Sequence, residues 1–155
     1  MKYRAIEQIQ QTAIISPEAI LATCSQRLAR WAYLLEGHDA HLRLLQGVEF
    51  RPVNERGSLR TDKSPLTLAY ADPLLRSQGL NGDTYGAALG FFQISEKRMH
   101  RIVCSCLHFR GPLAKSQEVA SEVRRAEVRA RFVEEAIAFF GIAFSRARIA
   151  TSFFV

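Results

Sequence analysis

The sequence predicts an all-α protein, a compact bundle of about five to seven helices with one long C-terminal helix. Three observations carry this. Apolar residues recur at helical spacing through much of the chain, proline and cap residues punctuate it repeatedly, and no Asn-Gly turn lies between alternating strands. Asn81-Gly82 is flanked by helical patterns instead.

The 155 residues suit one domain, 1–155, large enough to bury a core without disulfide or metal. The stretch from Pro17 to Glu36 carries Ile20, Cys24, Leu28, Trp31 and Leu35 on one helical face, with Arg27 and Arg30 off it. Ser16-Pro17 supplies a cap and a first-turn proline, a device repeated at Ser64-Pro65 and Asp72-Pro73. Asp39, Asp83 and Ser95 are further cap candidates, and Gly37, Gly47 and Gly79 fit left-handed helix ends. A short helix is expected from Asp39 to Gln46, folding back across Gly37, with Gly47 to Phe50 open to a short extended piece.

Residues 50–63 are polar, aperiodic and contain Pro52 and Gly57, which predicts a surface loop. Helices are expected over 65–71, 73–78, 84–92 and 96–109, then a long one over about 116–146. In that last helix Val119, Val123, Ala126, Ala130, Val133, Ile137, Phe140 and Phe144 alternate in steps of four and three, a heptad seam. Glu127–Arg131 and Arg131–Glu135 are its expected i,i+4 pairs, and Arg124, Arg125, Arg129 and Arg131 form a positive band interleaved with glutamates, read as a solvated face. The seam either packs along its own domain or forms an oligomer or partner face at Val133, Ile137, Phe140 and Phe144. Phe139, Phe153 and Phe154 add aromatic surface to the second reading.

Three cysteines, Cys24, Cys104 and Cys106, make no disulfide framework. The N-terminal residues lack the apolar core of a signal peptide, and no apolar run approaches the length of a membrane span, so a cytoplasmic protein is expected. The net charge of +6, mostly arginine, favours a polyanionic or acidic partner.

The segment 84–103 resembles a helix-turn-helix: a short helix, a tight turn at Gln93, Ile94 as a core plug, and Ser95 capping a second helix. Met99 and Ile102 should face inward, leaving Lys97, Arg98 and Arg101 to touch nucleic acid. A left-handed turn is costly at glutamine, where glycine is usual. Gly86 to Ser95 also looks like the Gly-Leu-Phe-Gln-Ile turn of lysozyme-like glycan-cleaving enzymes. Their chemistry needs an upstream glutamate acid, and none lies between Glu55 and Glu96, which excludes that reading.

His100, Cys104 and His108 recur every four residues, but the first and third would stand ~12 Å apart along a helix, too far for one ion. His38 and His41 are three apart beside Asp39, and the 80–86 loop lacks the lysine of a P-loop. No metal site or cofactor is therefore expected, although a metal or thiol site around His100 and Cys104 stands as a third reading. The leading expectation is a non-enzymatic binding or regulatory protein using Lys97, Arg98 and Arg101 on nucleic acid, as a homodimer through the long helix. The rival is a protein-interaction adaptor that docks through the Phe-rich C-terminal helix.

Overall fold

The computed structural model describes residues 21–151 apart from Leu107 and Arg110, with side chains as far as Gly141. Among the described residues are seven α-helices and one two-stranded sheet. Helix α1 spans Cys24–Glu36, α2 Val53–Arg56, α3 Pro65–Ala71, α4 Pro73–Ser77, α5 Tyr85–Phe92, α6 Glu96–Val103 and α7 Ser116–Thr151. Strand β1 is His41–Arg43 and β2 is Leu113–Lys115. The fold is the helical bundle the sequence predicts, closed by one long helix.

Helix α1 begins later than its periodicity suggests. Thr23 and Gln26 form a reciprocal capping box: the Thr23 hydroxyl accepts from the Gln26 amide at 3.3 Å, and Gln26 Oε1 accepts from the Thr23 amide at 3.1 Å. That cap places the start at Cys24 rather than Pro17; Ser16, Pro17 and Ile20 lie outside the described residues. Leu28, Trp31 and Leu35 are fully buried, as their spacing predicts. Gly37 ends the helix in a right-handed conformation, whereas Gly47 and Gly79 do adopt positive φ.

The expected helix over 39–46 is absent, because the residues alternate. His41 and Arg43 face solvent while Leu42 and Leu44 are buried, a period of two that suits a strand. β1 pairs antiparallel with β2, His41 opposite Lys115 and Arg43 opposite Leu113. Leu45 then bridges to Cys104, with its amide on the Val103 carbonyl at 2.8 Å. Asp39 caps no helix and instead meets the Gln117 side chain. The Val48–Phe50 segment is a 3-10 turn rather than an extended piece, and α2 adds one helical turn inside the expected 50–63 loop.

Helices α3 and α4 start at Ser64 and Asp72, whose side chains accept from the Thr67 and Leu75 amides. The cap of α5 is Thr84, one residue past the expected Asp83, which pairs with Arg60 at 3.4 Å. At the start of α5, Gly86 lies against Gly57 and donates its amide to that carbonyl at 2.9 Å. Helix α6 stops at Val103, since Cys104 leaves the helix for its bridge to Leu45. The expected helix over 96–109 is therefore cut short, and His108 is not on it.

The core lies where α1, α5, α6 and the first half of α7 meet. Trp31 stacks on Phe92 with ring centroids 4.5 Å apart and donates its indole N–H to the Pro65 carbonyl at 3.0 Å. Helix α7 runs antiparallel to α1. Ser116 Oγ donates to the Leu35 carbonyl at one end, and Glu134 accepts from the Ser25 amide and hydroxyl at the other. The heptad seam divides there. Val119, Val123 and Ala126 are buried beneath α1, Ala130 is partly buried, and Val133, Ile137 and Phe140 are exposed. The side chain of Phe144, and all of Phe153 and Phe154, lie outside the described residues.

Candidate anion-binding cleft

Helices α5 and α6 join through Gln93, which adopts the left-handed conformation at φ 51° and ψ 36°. That conformation costs a non-glycine residue roughly 1–2 kcal/mol. Its surroundings hold it. The Cys24 thiol donates to the Phe92 carbonyl, Arg27 Nη1 donates to the Phe91 carbonyl at 2.8 Å, and Ile94 is buried beyond the turn. The last carbonyls of α5 thus find donors on α1. Ser95 occupies the cap position of α6 without a side-chain cap bond.

Met99 and Ile102 are buried, as expected for the inner face of α6, while Lys97 and Arg101 are exposed and Arg98 is half-buried. Three polar side chains of this helix have intramolecular partners. Glu96 pairs with Arg56 at 2.8 Å, His100 with Glu49 at 3.3 Å, and Arg101 Nε with Glu122 Oε2 at 2.8 Å.

Glu122, on α7, is nearly buried and serves as a hub. It takes Arg101, Arg125 at 2.5 Å and His108 Nε2 at 2.9 Å. Arg125 comes from the next turn of the same helix and Arg101 from α6. One carboxylate therefore pins two guanidiniums on opposite walls of a groove. Arg98 and Arg129 complete the walls, and Ile102 and Ala126 contribute apolar lining. The groove holds about 290 Å³ and opens to solvent. Four guanidiniums face one carboxylate, so the lining is strongly cationic. Among the described residues neither Arg98 nor Arg129 has a carboxylate partner.

The structure brings Arg98 and Arg101 together in this cleft, while Lys97 lies on α6 outside its lining. Arg125 and Arg129 were legible only as part of a solvated band. The band in fact splits. Arg124 pairs with Glu36 and Glu127, Arg131 pairs with Glu127, and Arg125 and Arg129 turn to the cleft. The signal was their i,i+4 spacing with Glu122 one turn before.

The thiol reading fares differently. Burial pushes the Cys104 thiol up to about 12, with Cys106 and Glu49 adding to it, and burial also raises Cys24. Both stay protonated near neutrality, which suits core residues rather than nucleophiles. With α6 ending at Val103, His100, Cys104 and His108 share no helical face. Among the described residues no three His, Cys, Asp or Glu side chains group as metal ligands. No helix among them is long and apolar enough to cross a membrane. Compared with protein-family models, curated proteins and solved structures, the chain matches none at a significant level.

Proposed function

We propose that the chain is a non-enzymatic binding protein that grips the phosphate backbone of a nucleic acid in the cleft between α6 and α7. The carrying observation is the convergence of Arg98, Arg101, Arg125 and Arg129 on one open groove. Guanidinium presents a planar fork of donors that matches phosphate oxygens and stays charged at any physiological pH. Lys97, exposed nearby on α6, extends the cationic surface. The net charge of +6 adds long-range attraction for the same partner. Helix α6 is only two turns long and most of its polar side chains are tied down. Backbone contact therefore fits it better than reading of base edges. Such a protein is most simply placed in the cytoplasm.

The test is fluorescence anisotropy with short mixed-sequence duplex DNA across a range of salt. Four phosphate contacts predict a log–log slope of about −3 to −4 for affinity against salt. Arg98→Ala with Arg129→Ala should lower that slope by about 2 units and leave folding intact, since neither side chain pairs with Glu122. Absence of binding at low salt, or a double variant that binds like wild type, would sink the reading.

A further inference from the structure

We infer that the grip of the cleft on phosphate is coupled to a proton on His108, which acts through Glu122 from behind the cleft wall. The inference rests on the phosphate reading and names how that site is regulated. The Glu122 side chain is 4% exposed and shares its two oxygens among three partners. Oε2 accepts from Arg101 Nε at 2.8 Å, while Oε1 takes both Arg125 Nη1 at 2.5 Å and His108 Nε2 at 2.9 Å. The two guanidiniums line the cleft. His108 does not. It lines a separate groove with Phe109, Leu113, Glu118 and Ser121, and the two grooves meet at Glu122 and Arg125. One carboxylate and one guanidinium thus form a partition, with phosphate expected on one side and an imidazole fixed on the other.

The imidazole serves Oε1 in either protonation state. A neutral ring donates Nε2–H, and a protonated ring donates the same hydrogen bond and adds a positive charge. Histidine is the side chain whose ordinary charge change falls between pH 5 and 8. Phe109 packs against the ring edge to face, with centroids 4.8 Å apart, and a third of the side chain meets solvent, so protons reach it. The charged groups facing it are Glu118, Glu122 and Arg125 of α7, and Arg101 of α6 reaches the same carboxylate. Strand β2 contributes the apolar Leu113, and Arg110 lies outside the described residues. Glu118 Oε2 already accepts from the Lys115 amide at 3.2 Å, which leaves Glu122 as the carboxylate in contact with the ring.

The direction of the coupling follows from charge. A neutral His108 leaves the Glu122 carboxylate to repel phosphate. A protonated His108 offsets that charge without removing the carboxylate that holds Arg101 and Arg125. Phosphate therefore favours the protonated ring, and the protonated ring favours phosphate by the same factor. Affinity is full at low pH and falls as pH rises. At roughly 9 Å through an open groove, one charge changes affinity about two- to fivefold.

Fluorescence anisotropy with short duplex DNA at fixed salt, from pH 5.5 to 8, reads the coupling. Wild type should lose about two- to fivefold in affinity across that range. Calorimetry in two buffers of different ionisation enthalpy should show a fraction of a proton taken up on binding at pH 7. His108→Gln keeps a neutral donor and should bind at every pH as wild type binds at pH 8. His108→Lys fixes the charge and should bind at every pH as wild type binds at pH 5.5. A merely structural histidine would give neither pattern. His100→Gln is the control: His100 pairs with Glu49 outside the cleft lining, and its loss should leave the pH profile intact. A flat wild-type profile, or a profile that survives His108→Gln, overturns the inference and leaves the phosphate reading standing. A salt slope lowered by about 1 in His108→Gln would make the ring a direct phosphate ligand and overturn its action through Glu122. Absence of binding at every pH refutes the phosphate reading, and the inference with it.

Discussion

Replacing Asp72 with alanine should cost this protein about 2–3 kcal/mol. The residue ends α3 and caps α4 with one buried side chain. Its Oδ2 accepts from the Leu75 amide at 3.2 Å, and Arg30 of α1 grips both oxygens, Nε at 3.1 Å and Nη2 at 2.9 Å. Loss of an N-cap costs typically about 1 kcal/mol. The two-pronged charged contact adds about 1–2 kcal/mol, at the low end of charge-assisted bonds because Arg30 is a third exposed and can return to water. For a chain of this length the sum lowers Tm by roughly 4–12 °C. Urea unfolding followed through Trp31 measures it. Asp72→Asn should recover part of the cap, and Arg30→Met should show coupling to Asp72 of about 1 kcal/mol in a double-mutant cycle. The pH dependence has a definite sign. Burial works to raise the Asp72 carboxyl, but Arg30 and the amides of Leu75 and Leu74 outweigh it and hold the group below the usual range. Its contribution is thus full above about pH 4, the unfolded value, and is lost as pH falls through the lower folded value. A change under 0.5 kcal/mol on Asp72→Ala, estimated as roughly the noise of a surface substitution, would refute the reasoning.

Two further outcomes are expected. Gly86→Ala puts a Cβ 2.9 Å from Gly57 Cα and O, backbone atoms that cannot swing aside, so unfolding in urea should shift by about 1–3 kcal/mol toward lower stability. Cys104 is fully buried with its thiol held protonated, so thiol labelling at pH 8 should modify it only at the rate of unfolding, detected by mass of the labelled peptide.

The helices that proved readable are those whose signal is local. Ser64-Pro65 and Asp72-Pro73 fix α3 and α4 through a cap and a preset φ within four residues, and the heptad seam marks α7 from Val119 to Phe144. Misreadings arose where a distant partner decides. Residues 41–45 alternate too briefly to declare a strand, and what makes them one is β2, some seventy positions later. Cys104 looks like a helix continuation until Leu45 takes it into a bridge. The cleft shows the same division. Arg98 and Arg101 were found from the α5–turn–α6 pattern, whereas Arg125 and Arg129 differ from Arg124 and Arg131 only by 100° steps around a helix. Which of them face α6 depends on how α7 rolls against α1, and no local rule states that.

A carboxylate in the middle of the proposed anion-binding cleft poses a question of sign. Glu122 repels a phosphate, and at roughly 6 Å that repulsion is about 0.7 kcal/mol in bulk water and nearer 3 at the dielectric of a protein surface pair. The groove is open, so the smaller figure governs. Against it stands what Glu122 does for Arg101 and Arg125, both more than half exposed and otherwise free to sample many rotamers. Ordering each at the moment of binding costs about 0.5–1.5 kcal/mol, and the hub has already met that cost in the folded protein. Two arginines outweigh one screened charge. Glu122→Gln should therefore weaken DNA binding several-fold although it makes the protein more basic, while the slope of affinity against salt stays the same or steepens. Tighter binding by Glu122→Gln at every salt concentration would mean that charge alone governs the cleft and that its arginines need no positioning.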